Sequence, residues 1–90
     1  MGEGYMSIDK TLEERGARYG EFKTHAAISQ SLQSTMRCNK SWFNLSYPQQ
    51  EALQMIQHKI ARILNGDPNY KDNWHDIAGY ATLVEELCDD

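Results

Sequence analysis

Residues 58–87, HKIARILNGDPNYKDNWHDIAGYATLVEEL, decide the fold. They read as the end of one helix, a Gly66-Asp67-Pro68-Asn69 turn and a second helix. A connection this short makes its two helices antiparallel neighbours. Upstream, Ser46 and Gln49 have the spacing of a capping box and Pro48 sits in the first turn, while Gly66 stands just past the end. The spacing predicts a helix between those signals, with Leu53, Ile56, Ile60, Ile63 and Leu64 on one face. The next helix is predicted from near Asp72 to about Cys88, with Trp74, Ile77, Ala81, Val84 and Cys88 as its core stripe.

Working outward, Phe22, His25, Ile28, Leu32 and Met36 make a helical stripe that predicts a helix over about Glu21–Met36. Cys38–Tyr47 reads as a polar connector whose Trp42, Phe43 and Leu45 fold back onto the bundle. Thr11 and Glu14 have capping-box spacing in a short helix over Asp9–Ala17, and Gly16 and Gly20 around Tyr19 predict a break. Residues 1–6 read as a flexible leader and residues 7–90 as a single helical domain. With neither a strand pattern nor an internal repeat, the expected class is all-α, a small four-helix bundle.

Ninety residues bury only about 60–65% of their unfolded surface, so the core is thin. Homo-oligomerisation is expected to complete it, covering large side chains such as Trp42, Phe43, Tyr47, Trp74 and Tyr80. The net charge is −4 and the basic residues are scattered, which excludes the cationic stripe of a DNA or RNA binder. Cys38 and Cys88 lack zinc-ligand spacing and read as reduced thiols. Neither a membrane span nor a signal peptide is readable, so the expected location is cytoplasmic, in a bacterial host cell.

The chemistry concentrates on the facing sides of the last two helices. Met55, Lys59 and Arg62 share one face, and Asp72, Asp76 and Tyr80 recur every four residues on the next helix. Antiparallel packing brings these two rows together. One consequence is an ion-pair seam that sets helix register. The other is a ligand site in which Lys59 and Arg62 hold phosphate oxygens and Asp72 and Asp76 hold a magnesium ion. Trp74 and Tyr80 would then offer flat faces to a base. His25 lies on an apolar stripe and reads as a core histidine, and His58 reads as facing solvent. The acidic tail from Glu85 onward reads as solvated. No catalytic triad and no glycine-rich phosphate loop is present.

ERGARYGEF together with EALQMIQHKIARILNGDPNYKDNWHDIAGYATL resembles a family of small uncharacterised proteins carried by bacteriophages and prophages. The likeness covers about Leu12 to Leu87. It is more distantly similar to the MazG-like all-α nucleotide pyrophosphohydrolases, four-helix assemblies that form dimers or tetramers and use magnesium. Their metal site pairs an E-E-x-x-E run on one helix with E-x-x-D on the next. Asp72 and Asp76 stand roughly at the second motif, whereas Met55, Lys59 and Arg62 replace the first. Cations in place of carboxylates argue against pyrophosphohydrolase chemistry and leave direct binding of a phosphate-bearing ligand.

The expected function is therefore non-catalytic binding of a nucleotide, linear or cyclic, or of a nucleotide-derived signal, with a counter-defence role in the phage setting. One alternative is a magnesium-dependent nucleotide phosphohydrolase that borrows a third carboxylate from Glu51, Glu85 or another subunit. The other is a protein-interaction accessory, meeting a host protein through Trp42, Phe43 and Tyr47.

Overall fold

The computed structural model describes residues 2–89, with side chains from Lys10 onward. Four helices run in chain order: α1 (Gly2–Tyr19), α2 (Phe22–Arg37), α3 (Tyr47–Asn65) and α4 (Lys71–Glu85). A short 3₁₀ helix, Lys40–Asn44, links α2 to α3, and the described residues contain no strand. The architecture is a small all-α bundle, as the periodicities predict.

The sequence signals for α3 act as written. Ser46 Oγ accepts from the Gln49 amide, the Gln49 side chain accepts from the Ser46 amide, and Pro48 occupies the first turn. The 3₁₀ helix folds back as expected: Trp42 is buried and its carbonyl accepts from Gln50 Nε2 at 2.9 Å. Phe43 and Tyr47 stay exposed. The N-terminal reading differs more. The backbone of α1 is helical from Gly2 rather than Asp9, so it takes in residues 2–6 of the stretch expected to be a leader, Met1 lying outside the described residues. Gly2, Gly4 and Gly16 each cost a helix only about 1 kcal/mol against alanine. The chain breaks at Gly20 alone, which has a φ of +78°.

The interior is more polar than the apolar stripes suggest. Among the described residues the buried apolar side chains are Trp42, Ala52 and Ala61, while His25, Ser29, Gln57, Lys59 and Asn73 are buried beside them. On α3 the residues turned inward are Ala52, Gln57, Lys59 and Ala61, whereas Leu53, Ile60 and Leu64 are exposed. On α4 the inward residue is Asn73, with Ile77 and Val84 half-buried. Trp74, Ala81 and Cys88, predicted as core, are exposed. Hence α4 is rotated by roughly 60° from its predicted facing, with Ile77 and Val84 common to both faces. Trp74 instead lies across the interhelical turn, its indole donating to the Pro68 carbonyl at 2.8 Å.

Buried polar groups survive only when paired, and α2 meets α3 through such a pair. Ser29 Oγ donates to Gln57 Oε1 at 3.1 Å, both side chains being buried. Ser29→Ala leaves that amide oxygen without its partner, an expected loss of about 1–3 kcal/mol. Urea denaturation followed by circular dichroism measures it, and an unchanged midpoint would show that the pair contributes nothing to α2 docking.

Candidate functional site

The site is assembled by a clamp between two turns distant in sequence. Gly20 adopts the left-handed backbone that closes α1 against α2, and its amide donates to the Gly16 carbonyl at 2.9 Å. The end of α3 packs directly on this turn. Asn65 Nδ2 donates to the Tyr19 carbonyl at 2.7 Å and to the Glu21 carbonyl at 2.9 Å. The Asp67 amide donates to the Arg18 carbonyl at 2.7 Å. A Cβ on Gly20 would overlap the backbone oxygen of Asn65, and one on Gly66 would overlap the Arg18 backbone. Both positions need glycine because two backbones meet there.

The clamp delivers Tyr19 to the last turns of α3. The Arg62 guanidinium lies over the Tyr19 ring at 4.2 Å from its centroid, and Arg15 approaches the same ring at 5.6 Å. Arg18 covers Tyr70 at 4.8 Å, and the two tyrosines meet edge-on at 5.9 Å. Arginine on an aromatic face keeps its charge and leaves its donors free at the rim.

Beside this stack lies a cavity of about 100 Å³ lined by Arg15, Tyr19, Gly20, Phe22, His25, His58 and Arg62. Phe22 forms an outer lip and is 80% exposed. His25 and His58 face each other edge-on with centroids 4.6 Å apart. Burial, then the Arg62 charge, hold His25 below its usual value. Burial, followed by Arg62, His25, Lys59 and Arg15, lowers His58 to about 4. Both imidazoles are therefore neutral at pH 7 in a pocket whose fixed charges are cationic. Nδ1 of His25 is buried without a hydrogen-bond partner.

Such neutral histidines make stability sensitive to mild acid. In the unfolded chain histidine titrates near 6.5, so between about 6.5 and 4 the unfolded state binds more protons than the folded one. Stability is expected to fall across that window as pH falls, and His58→Gln should flatten the decline. Thermal denaturation from pH 7 to pH 4 checks this. An equally steep decline in the variant would remove His58 as its source.

The residues expected to form the site divide between two places. Lys59 meets Asp76 at 2.9 Å. Its hydrogen bond, the largest cause, lowers the Asp76 carboxyl below the usual value. That contribution is complete above pH 3.8 and is lost below it, outside the histidine window. Because Lys59 is buried and Asp76 is not, Asp76→Asn strands a charge in the interior. It is expected to lower the denaturation midpoint more than Lys59→Met, which removes the charge altogether; the reverse order would contradict this reading.

Arg62 leaves the seam for Tyr19. Asp72 accepts from the Tyr70 hydroxyl at 3.1 Å, Trp74 faces the turn, and Tyr80 is half-buried beside Asp76 on α4. The seam thus pairs Lys59 with Asp76, with Tyr80 beside them and the Arg62 charge within electrostatic range, while Trp74 and Asp72 turn to the Pro68 carbonyl and the Tyr70 hydroxyl. Among the described residues, no three His, Cys, Asp or Glu side chains are grouped so as to hold a metal ion. Of the two carboxylates expected to hold magnesium, Asp76 meets Lys59 and Asp72 meets Tyr70. His58 is half-buried against His25 rather than facing solvent. Arg15, Tyr19, Phe22, His25 and His58 were not read as site residues. Their signal is present in RGARYGEF, where Arg15, Arg18, Tyr19 and Phe22 flank the glycine turn.

Among the described residues no helix is long and apolar enough to cross a membrane. Residues 7–88 match DUF6378, a family described as a domain of unknown function. No curated protein and no solved structure matches the chain.

Proposed function

The chain belongs to the DUF6378 family, and within it we propose that this member binds a phosphate-bearing nucleotide or nucleotide-derived signal without converting it. The observation that supports this reading is the convergence of Arg15 and Arg62 with two uncharged histidines on one small cavity. Arginine donors suit phosphate oxygens in fork geometry. A cavity of about 100 Å³ has room for one phosphate group and not for a nucleoside. The rest of the ligand would lie outside, with its base against the exposed Phe22 ring in the sequence-tolerant manner of base–aromatic stacking.

Burial and then the arginine charges hold the histidines neutral, and a phosphate dianion entering the pocket offsets the second of these. Ligand binding would therefore raise His58 and couple uptake of the anion to uptake of a proton. Any magnesium would arrive on the ligand's own phosphates, the usual manner for that ion. In a phage or prophage setting, retaining such a signal would withdraw it from host defence.

Ligand capture tests the reading. The full chain is mixed with magnesium and a panel of linear and cyclic nucleotides, separated, denatured and analysed by mass spectrometry. One nucleotide recovered intact and in stoichiometric amount by the wild type, and lost with Arg62→Glu, is the expected result. A consumed nucleotide with a new product would overturn the non-catalytic assignment. Failure to capture any member would overturn binding.

A further inference from the structure

We propose that the exposed apolar face shared by α3 and α4 packs across a two-fold axis on the same face of a second copy of this chain. On α4, Lys71, Trp74, Ala78, Ala81 and Glu85 recur at alternating steps of three and four, and Cys88 continues the series just past the helix end. That is the spacing of a seam between two helices. Within one chain every member of the series is exposed, Trp74 by 54%. Leu53, Ile60 and Leu64 run beside it on α3 and are 39%, 37% and 66% exposed. The two stripes are continuous: Leu53 and Ile56 share an apolar groove of about 390 Å³ with Ala81, Val84 and Cys88. The apolar stripes that the sequence assigns to a core are thus turned outward, and a polar line faces inward.

Surface area points to an occupant the size of a protein interface. The chain exposes 7000 Å², against about 5,400 Å² for a compact monomer of its mass. Its radius of gyration is 15.8 Å, against about 12 Å for a compact domain of this length. Part of the excess is α1, whose residues 10–18 are all exposed. The excess of about 1,600 Å² is thus shared between α1 and the α3–α4 face, and a standard interface takes roughly 800 Å² of it from each partner.

Charge identifies the occupant as a second copy. Lys71 opens α4 and Glu85 closes it, so each sits at the end where the helix dipole disfavours its sign. A two-fold axis pairs α4 antiparallel with its copy and sets Lys71 of each chain alongside Glu85 of the other. Ala78 and Ala81 then lie at the crossing, where small side chains permit close approach. Leu53, Ile60 and Leu64 flank it from both sides, giving a shared core of two α3 and two α4 helices. This face is separate from the arginine–histidine cavity.

Sedimentation equilibrium of the full chain tests the proposal. The wild type is expected at twice the 10.4 kDa of one chain. Lys71→Glu and Glu85→Lys each improve the match to the helix dipole, yet each should weaken the dimer by about tenfold or more. The double exchange K71E/E85K should restore it. Ile60→Glu should abolish the dimer, and because it can also disturb folding, the charge exchange carries the decision. A monomeric wild type would overturn the proposal. So would a dimer indifferent to all four variants, or singles that fail to recover in the double exchange.

Discussion

Gly20→Ala is expected to destabilise the protein by about 3 kcal/mol or more. Two costs combine. At a φ of +78° an L side chain is strained by roughly 1–2 kcal/mol. The new Cβ also falls on the backbone oxygen of Asn65, an atom that no side-chain rotation can move aside. Relief requires parting the α1–α2 turn from the end of α3, which breaks the Asn65 hydrogen bonds to Tyr19 and Glu21. Gly16→Ala is the matched control four residues earlier. Its Cβ meets nothing within 4 Å and it lies inside α1, so the variant should be neutral or stabilising by up to about 1 kcal/mol. Urea denaturation of the pair separates a requirement for glycine from a general intolerance of this segment. Equal midpoints would show that the clamp does not hold the turn.

Arg62→Glu is expected to remove ligand binding almost entirely. A charge-assisted contact to an anion contributes about 1.5–3 kcal/mol, and the variant replaces attraction by repulsion. A loss of at least about a hundredfold in affinity follows. The same change has an independent signature without ligand. Arg62 is the leading electrostatic cause, after burial, of the lowered His25 and His58 values. Replacing it with a carboxylate should move both histidines upward. Arg62→Lys keeps the charge but loses the planar fork stacked on Tyr19, so it should bind with intermediate affinity. Isothermal titration with the captured nucleotide measures the series. Equal affinity in Arg62→Lys and Arg62→Glu would show that charge at this position is irrelevant to binding.

How legible each part was in the sequence follows from the range of the interaction that decides it. The bounds of α3 were readable because Ser46, Gln49, Pro48 and Gly66 act within a few residues of themselves. Membership of an all-α bundle followed from periodicity and short turns. The facing of α4 was not readable, because apolar spacing identifies a stripe without saying what covers it. Trp74, Ala81 and Cys88 form a true stripe, and within one chain α3 meets the Asn73–Ile77 side instead. The Lys59–Asp76 pair was legible as two rows brought together by a tight turn. Arg62 was assigned to the same row, although a step of three residues turns it about 60° from Lys59. That offset places it within reach of Tyr19, which arrives only through contacts spanning 46 and 44 residues. The arginine–histidine cavity is thus a product of tertiary docking, while RGARYGEFKTH and HKIAR carry its components openly.

Nitrogen-15 imidazole spectra of the full chain, titrated with the captured nucleotide near pH 6.5, test the central claim most directly. His58 and His25 line the proposed site, whereas His75 lies on α4 outside it and serves as the internal control. Saturable movement of the His58 and His25 signals towards the imidazolium form, with His75 unchanged, is the result predicted for a phosphate entering between Arg15 and Arg62. Unmoved His58 and His25 signals at saturating nucleotide, or a response confined to His75, would place the ligand elsewhere and contradict the site.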